Sequence, residues 1–387
     1  MNIILQTCLT ALACLISLYT TAGTREFEKS IAICTNPTPA QELTLKYMMA
    51  TQNIRFQKTR CEEYYQKLKD VKKIVFSNVP KQDFDLTPLS ELTQLETLVI
   101  LGPKSFSLKP LEMLTSLNDL SIKAENIRDI DSISHLKTLE RILIRNSNVE
   151  NINFLEKIHT IKSIILSRNK ISDLTPLSNM SSLESLILSN NQLTNISTLS
   201  TLTNLKILYI NYTGIKDITP LSGAVNLEEL YIDYNNITDI SPLSHLVYLK
   251  KLDMNNNHIK NLEPLRPLKY LYHLSFRNNH VEDISPLSDL PKLGYISMAN
   301  NKIRYLSPLL VLDGLYNITA YGNPMVDCKG DVVKLARNAI QCENGWISPD
   351  NAPTSTDSPK DRKSGLELDT DKKQNSLLSR FLSLFMF

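Results

Sequence analysis

A unit of 22 residues repeats along most of this chain and constrains its fold more than any other feature. The copies that begin at Leu205 and Leu227 read LKILYINYTGIKDITPLSGAVN and LEELYIDYNNITDISPLSHLVY. Apolar residues recur in each unit at offsets 0, 3, 5, 10, 13, 16 and 19, counted from its first residue. One unit cannot bury so many apolar side chains, whereas stacked units bury them against each other. The repeat therefore predicts a solenoid.

Each unit is expected to contain a short strand, a bend and a return segment. The apolar residues at offsets 3 and 5 alternate with other residues, as in a strand with one buried face. A proline at offset 15 of most units forbids a strand there and starts a tight turn or one helical turn. The predicted fold class is α/β: a solenoid with a parallel sheet on the inside of its arc and a cap at each end. The units begin at Val71, Leu95, Leu117, Leu139, Ile161, Leu183, Leu205, Leu227, Leu249, Leu271, Leu293 and Leu315.

An asparagine stands at offset 8 of most units, where the chain leaves the strand. Its amide both donates and accepts hydrogen bonds, so a stacked column of amides satisfies backbone groups at the bend. We interpret this column as structural and expect a local adjustment at Thr213, which interrupts it. The column comprises Asn169, Asn191, Asn235, Asn257, Asn279 and Asn301, followed by Asn323.

The segment before the repeats divides into two parts. Residues 1–22 carry no charged side chain and predict a secretory signal peptide cleaved near Ala22, with a membrane anchor as the alternative. Residues 23–70 predict a helical cap over the first repeat, with one helix in AQELTLKYMMATQN and a second in CEEYYQKLKDV. In the second helix, Tyr64 and Leu68 lie at helical spacing with Val71.

The repeats occupy residues 71–327, and three further segments follow them. Residues 328–345 predict a closing cap, with a helix in GDVVKLARNAIQC. Residues 346–376 are polar and predict a disordered linker. Residues 377–387 form an apolar tail, too short to span a bilayer, that favours contact with a membrane surface or a partner. The alternative is a frayed end without a role.

Four of the six cysteines flank the repeats, and none lies inside them. This placement predicts disulfides in an oxidising compartment, with the pairs Cys34–Cys61 and Cys328–Cys342 as hypotheses. A straight helix between Cys328 and Cys342 would hold their α-carbons too far apart, so either that helix is short or these cysteines pair differently. A metal site is disfavoured because the closer CxxC spacing is absent.

Charge and motif content disfavour several classes of function. The chain of 387 residues carries 42 Lys+Arg against 40 Asp+Glu, which lacks the basic excess of a nucleic-acid surface. None of the six histidines stands in an HExxH, GxSxG or Cys-His context. Few residues follow Cys342, and a catalytic domain needs more. We expect no catalytic residues, no cofactor and no metal, and we regard a hydrolase or ligase carried on the array as a strongly disfavoured alternative.

These units resemble the leucine-rich repeats of bacterial internalin-like proteins. The pattern LxxLxLxxNxIxDIxPLxxL covers residues 183–312 nearly unbroken and extends in degraded form back to Val71. The resemblance implies a curved solenoid, a secreted or surface-exposed bacterial protein, and recognition of a protein ligand through the concave sheet, as in adhesion or host interaction. An intracellular phosphatase regulatory subunit has similar repeats, but the signal-like start and the flanking cysteines disfavour that class.

The outward face of the predicted sheet carries the candidate binding residues. If offsets 3 and 5 point inward, offsets 2, 4 and 6 point outward. Strands lie about 4.8 Å apart, so Tyr209 and Tyr231 at offset 4 of adjacent units are expected to touch. Aromatic residues favour protein recognition, although they also simply suit strands. The candidates are Tyr209, Tyr212, Tyr231, Asp233, Tyr234, Asp253, Asn255, His273, Arg277 and Tyr295.

The remaining apolar residues at offset 4 have a different interpretation. Leu143, Ile165 and Ile187 are expected to support the sheet rather than to bind. The sequence thus favours an exported, non-enzymatic protein that binds another protein on its sheet. A scaffold of the cell envelope without a specific ligand is the alternative.

Overall fold

The computed structural model describes residues 33–77, 79–327, 340–342 and 345–347. The predicted signal peptide (residues 1–22), the predicted linker beyond residue 347 and the apolar tail (residues 377–387) lie outside the described residues. Within those residues the chain forms a helical cap, followed by an array of strands and short 3-10 segments. No described helix has the length and apolar character needed to cross a membrane.

Helix α1 (Pro39–Ala50) opens the cap. The Thr38 hydroxyl accepts from the Gln41 amide at 3.3 Å, and the Gln41 side chain accepts from the Thr38 amide at 3.0 Å. This reciprocal pair satisfies two backbone donors that the first helical turn leaves free. Leu45, Met48 and Met49 are fully buried in the core that continues into the first repeat. The helix therefore covers apolar surface that the first strand would otherwise expose.

Helix α2 (Cys61–Leu68) completes the described part of the cap. Tyr64, which the sequence places at helical spacing with Leu68, is half-buried against the core. Tyr65 is the fully buried tyrosine, and its hydroxyl donates to the Pro88 carbonyl at 2.7 Å. The helix ends at Leu68, so Val71 lies beyond it, and the buried face runs through Cys61, Tyr65 and Leu68.

A disulfide joins the segment before α1 to the first residue of α2. Cys34 and Cys61 are bonded, with their α-carbons 5.4 Å apart, as the sequence predicts. Cys328 lies outside the described residues, so the pair Cys328–Cys342 stays a prediction.

Twelve parallel strands form the main sheet, which confirms the predicted solenoid. Successive strands pair in a register of one repeat, so that Tyr209 lies opposite Tyr231, which in turn lies opposite Asp253. The strands are β1 (Lys73–Phe76), β2 (Thr97–Leu101), β4 (Asp119–Lys123), β6 (Arg141–Ile144), β7 (Ser163–Ile165), β8 (Ser185–Ile187), β9 (Ile207–Tyr209), β10 (Glu229–Tyr231), β11 (Lys251–Asp253), β12 (His273–Ser275), β13 (Tyr295–Ser297) and β14 (Asn317–Thr319).

Each return segment is a short 3-10 turn. The Asp239 carboxylate accepts from the Ser241 amide at 2.8 Å and sets the turn that Pro242 then continues. A buried leucine such as Leu243 points from the turn into the core. The segments are Lys58–Arg60 in the cap and then Thr87–Leu89, Lys109–Met113, Ile130–His135, Asn153–Lys157, Thr175–Leu177, Ser197–Thr201, Thr219–Gly223, Ser241–His245, Glu263–Leu265, Ser285–Asp289 and Ser307–Val311.

The core lies between the strands and the return segments. In a representative unit every apolar residue of the repeat pattern is fully buried, and these residues are Leu249, Leu252, Met254, Ile259, Leu262, Leu265 and Leu268. Each side chain packs against its equivalents in the two neighbouring units, so the array forms one continuous apolar core.

The asparagines at offset 8 are buried and bind the backbone of two units. The Asn257 amide donates to the Ile232 carbonyl at 3.0 Å and the Met254 carbonyl at 3.1 Å, and its oxygen accepts from the Ile237 amide at 3.0 Å. Asn169, Asn191, Asn235, Asn279, Asn301 and Asn323 make equivalent bonds to the strand end of their own unit and to the preceding unit.

Thr213 alters this column locally. Its hydroxyl donates to the Ile210 carbonyl at 2.8 Å, and the Asn235 oxygen accepts from both the Thr213 and Gly214 amides, at 3.1 and 2.9 Å. A hydroxyl has one donor where an amide has two, so one link of the column is lost. A surface groove of about 420 Å³ opens beside Gly214, lined by residues 193–196, 214–217 and Pro220.

Alternating charges connect the units along the edge where the chain enters each strand, at offset 1. Lys162 pairs with Glu140 at 3.1 Å, Lys206 with Glu184 at 2.9 Å, and Lys250 with Glu228 at 2.6 Å. The same positions in the following units are Tyr272, Gly294 and Tyr316, so this ladder stops after Lys250.

Two small sheets complete the described structure. Strands β3 (Ser105–Ser107) and β5 (Asn126–Arg128) pair in parallel beside the main sheet. Strands β15 (Ile340–Cys342) and β16 (Gly345–Ile347) pair antiparallel, so the predicted linker (residues 346–376) is wrong for its first two residues, which lie in β16. The predicted closing helix was expected to run to Cys342, and this is wrong for its last three residues, because backbone bonding to β16 holds them in a strand. The start of that predicted helix lies outside the described residues.

Candidate functional site

We call the face of the main sheet that points away from the core the outer sheet face. It carries Val99 on β2 and, beyond Ser121 on β4, an apolar column of Leu143, Ile165 and Ile187 on β6, β7 and β8, and all four apolar side chains are nearly fully buried. These four side chains do not belong to the main core cluster, so flanking side chains on the outer sheet face cover them. This column supports the sheet and offers little free surface for a ligand.

The same column continues into two contacting tyrosines. The Tyr209 and Tyr231 rings lie 4.1 Å apart between centroids, at 46° to each other, and both side chains are half-buried. Burial raises the pKa of both phenols, and the negative charge of Glu229 raises them further. Both hydroxyls stay protonated at neutral pH, and they already take part in side-chain hydrogen bonds between the two tyrosines and with Glu229.

A second tyrosine pair lies at offset 7 of the same units, at the end of each strand. The Tyr212 and Tyr234 rings stack 4.0 Å apart at 12°, and their exposed fractions are 48% and 45%. Their φ angles are +55° and +53°, which is the left-handed region. Other units with left-handed backbone at this offset carry arginine at Arg168, glycine at Gly322, and asparagine at Asn146, Asn190, Asn256, Asn278 and Asn300. We call Tyr209, Tyr212, Tyr231 and Tyr234 the tyrosine cluster.

Asp233 lies between the tyrosines of its own unit and is only 8% exposed. Its Oδ1 accepts from the backbone amide of Asn255 at 2.8 Å and from the Asn255 side chain at 2.7 Å. Burial raises the pKa of Asp233 to about 6, and the neighbouring charge of Asp253 contributes to the shift. Its carboxylate is thus held in place but poorly compensated by positive charge.

Asn255 belongs to a hydrogen-bond network that ties adjacent strands together. Its Oδ1 accepts from the Ser275 hydroxyl at 2.6 Å and from the Arg277 backbone amide at 2.7 Å. The Arg277 guanidinium in turn donates to the Ser297 hydroxyl. Because these bonds use the Asn255 oxygen and one of its N–H groups, this candidate acts first as a structural residue.

His273 joins the acidic and aromatic parts of the outer sheet face. Its Nε2 lies 3.0 Å from Oδ1 of Asp253, and its ring stacks on Tyr295 with centroids 4.3 Å apart. The nearby pair of Lys251 and Glu229 is joined at 3.1 Å. Sequence reasoning left Lys251 and Glu229 out of the candidates, although opposite charges at the same offset of adjacent units signal such a pair.

The candidates therefore fall into two groups. The tyrosine cluster, Asp253, His273 and Tyr295 present side-chain surface in adjacent units, whereas Asp233, Asn255 and Arg277 are engaged in hydrogen bonds between units. Within the described part of the chain, no group of three histidine, cysteine or acidic side chains has the arrangement of a metal site.

Sequence reasoning also missed an aromatic pair on the edge where each strand begins. Tyr248 and Tyr270, at offset 21, have ring centroids 6.3 Å apart, and the Lys292 ammonium lies 4.3 Å from the Tyr270 ring. Earlier units carry serine, threonine or asparagine there, and Asn226 donates to the Thr203 carbonyl at 2.8 Å. The change from a bonded polar residue to exposed tyrosine was the available signal.

Comparison with known proteins identifies the repeat. A family model described as leucine-rich repeats in two copies matches residues 181–223, 225–267 and 271–310. No curated protein matches the chain in sequence.

Solved structures provide the wider relationship. An internalin, InlF of Listeria monocytogenes, is similar at 24% identity and a TM-score of 0.67, over 80% of this chain and 98% of that one. Internalin C2 of the same species is 36% identical, over 49% of this chain and 83% of that one, with a TM-score of 0.47.

A plant peptide hormone receptor, RGFR1 in complex with RGF2, is a more distant match. It is 16% identical with a TM-score of 0.54, over 65% of this chain and 47% of that one. At this identity the likeness concerns the fold alone.

The matched repeat model, the parallel sheet and the internalin fold together make the chain an internalin-like leucine-rich-repeat protein.

Proposed function

We propose that this protein is a non-enzymatic binding module whose outer sheet face recognises a protein ligand through the tyrosine cluster. Leucine-rich-repeat solenoids are protein-interaction scaffolds, and the receptor RGFR1 with the same fold is in complex with RGF2. What carries the proposal for this chain is the backbone of Tyr212 and Tyr234. Their rings stack on each other, both side chains are about half exposed, and the backbone of both residues is in the left-handed region.

That backbone is costly for a tyrosine. A residue with a β-carbon other than asparagine or aspartate loses roughly 1–2 kcal/mol in the left-handed region. Stacking of the two rings stabilises the fold by about 1 kcal/mol. Because about half of each side chain stays exposed, burial of apolar surface contributes little more. Asparagine, which other units use here, would suit the fold better. A residue kept against the preference of its own repeat indicates a role outside the fold.

Exposed tyrosine suits recognition of a protein. Its ring offers a large contact area with little rotamer entropy to lose, and its hydroxyl donates a hydrogen bond. Because Tyr209 and Tyr231 lie on the sheet and Tyr212 and Tyr234 at the strand ends, a ligand seated here would contact strand and bend together. The competing interpretation, that aromatic residues merely suit strands, does not account for tyrosines outside the strands.

We further propose that the protein is exported or surface-exposed in a bacterium, where it serves adhesion or host contact. The disulfide between Cys34 and Cys61 supports this proposal, because such bonds persist in oxidising compartments. Sequencing the mature N-terminus of the secreted or envelope fraction tests it. Recovery of an uncleaved, wholly cytosolic protein would contradict it.

The binding proposal is tested with the double variant Tyr212→Asn/Tyr234→Asn. Peptides of about 12 residues, selected from a random display library on the native protein, serve as the probe. We expect the variant to bind the selected pool at least about tenfold more weakly, as loss of two contact tyrosines does. It should also unfold at a higher urea concentration, because asparagine relieves the left-handed strain, with a net gain of about 1 kcal/mol.

The matched control is Tyr248→Asn/Tyr270→Asn, the same substitutions in the exposed pair at offset 21. It should bind the selected peptides like the native protein. Failure to recover any binding peptide, or equal losses in the two double variants, would contradict recognition by the tyrosine cluster.

A further inference from the structure

Resting on the proposed function, we infer that the tyrosine cluster receives a partner segment that presents a lysine or arginine beside apolar side chains. The segment's apolar groups would pack on the tyrosine rings. Its cation would lie against the carboxylates of Asp233 and Asp253. Such a ligand is basic and apolar at once.

The charge balance around the tyrosines supports a cationic ligand. Of the three carboxylates on β10, β11 and the bend after β10, Glu229 is neutralised by Lys251 at 3.1 Å. Asp253 contacts His273 at 3.0 Å, and within the described residues Asp233 has hydrogen bonds from Asn255 but no ion pair. Asp253 thus has one imidazole beside it and Asp233 has no cationic partner among the described residues, so these two carboxylates are poorly balanced by positive charge.

The position of these carboxylates matches the aromatic surface. Asp253 lies directly opposite Tyr231 in the adjacent strand, and Tyr231 contacts Tyr209. A cation placed there would face both a carboxylate and the face of a tyrosine ring, two interactions that reinforce each other. Asp233 is already desolvated, so an incoming cation would recover part of the electrostatic cost of its burial.

The nearby cations do not favour an acidic ligand. The Lys251 ammonium is held by Glu229, and the Arg277 guanidinium donates to Ser297. His273 faces Asp253 on one side and Tyr295 on another. An acidic segment would meet Asp233 and Asp253 as like charges, which costs affinity. A neutral apolar segment would leave both carboxylates buried beneath it without compensation.

The same display selection tests this inference. We expect lysine and arginine to be enriched in the selected peptides, next to aromatic or aliphatic residues. Asp253→Asn keeps the acceptor that His273 contacts but removes the charge, and it should weaken binding about tenfold at low salt. This loss should shrink at about 0.5 M NaCl, where screening shortens the range of the charge interaction. Glu228→Gln, on the charged ladder away from the outer sheet face, is the matched control and should bind like the native protein.

The possible results separate the two proposals. Neutral or acidic peptides that lose binding with Tyr212→Asn/Tyr234→Asn but not with Asp253→Asn would overturn the cationic ligand and leave the binding face in place. Peptides insensitive to both variants would overturn both proposals. Equal weakening by Asp253→Asn and Glu228→Gln would also overturn the cationic ligand, because binding would then depend on the net charge of the protein rather than on the Asp253 carboxylate.

Discussion

At the scale of single residues, the tyrosine cluster could be located from the sequence because the repeat fixes which residues are neighbours. A spacing of one unit places Tyr209 opposite Tyr231, and the structure has that register. The left-handed backbone of Tyr212 and Tyr234 was not predicted, although the asparagines at this offset in other units pointed to it. The network of Asn255 was also missed, because it depends on side-chain directions that a spacing does not give.

Asp233 allows a prediction at the same scale. Its pKa is raised to about 6 from an ordinary value of 3.8, because burial and Asp253 disfavour the charged form. The folded state therefore binds this proton more tightly than the unfolded state does. The stability that Asp233 contributes is present below pH 3.8 and is lost as the pH rises through about 6.

We expect Asp233→Asn to match the native free energy of unfolding near pH 4 and to exceed it by about 2 kcal/mol at pH 7.5, since one pKa unit corresponds to about 1.4 kcal/mol. Urea unfolding of both proteins across this pH range measures the difference. A difference that does not change with pH would contradict the raised pKa.

At the scale of elements, hydrogen-bonded side chains hold each unit to the next. The asparagine column does this inside the bend, and threonine or asparagine at offset 21 does it on the opposite edge. Both ladders follow from the repeat period. Their interruptions at Thr213, Tyr248 and Tyr270 are visible in the sequence, but what replaces the lost bonds depends on the local packing.

We predict that Asn257→Ala lowers the free energy of unfolding by about 3 kcal/mol. The substitution leaves the Ile232 and Met254 carbonyls and the Ile237 amide buried without their partner. Asn226→Ala is the control, because its exposed amide makes one bond, to Thr203, and should cost about 1 kcal/mol or less. Urea unfolding measures both variants. Equal decreases in the free energy of unfolding would contradict a larger stabilising role for the buried asparagine column.

At the scale of the whole molecule, the solenoid was the most predictable feature. A fixed period with apolar residues at constant offsets leaves stacking as the means of burial, and the twelve-stranded sheet follows from it. The caps were harder to predict because they do not repeat. The helical spacing of Tyr64, Leu68 and Val71 did not indicate that Tyr65 is the fully buried tyrosine of α2, and β15 stands where a helix was expected. Because the caps do not repeat, no second copy of a segment shows which of its residues face the core.

The disulfide of the cap supports a prediction for the whole array. Cys34 and Cys61 are 27 residues apart in sequence, and closing such a loop in the unfolded chain corresponds to about 3–4 kcal/mol. We expect Cys34→Ser/Cys61→Ser to unfold at a lower urea concentration than the oxidised native protein. An unchanged midpoint would contradict a stabilising role for this bond. If reductant lowers the midpoint of the double variant further, a second disulfide exists elsewhere in the chain.

The charged ladder at offset 1 limits which duplications of repeats would keep its ion pairs. Glu140, Glu184 and Glu228 recur every 44 residues, and each faces a lysine in the unit after it. Copying a single unit within this stretch would set two like charges side by side, whereas copying two units together preserves every pair. Duplication of a pair of repeats therefore conserves this ladder, and we expect relatives that gained length here to differ by even numbers of repeats.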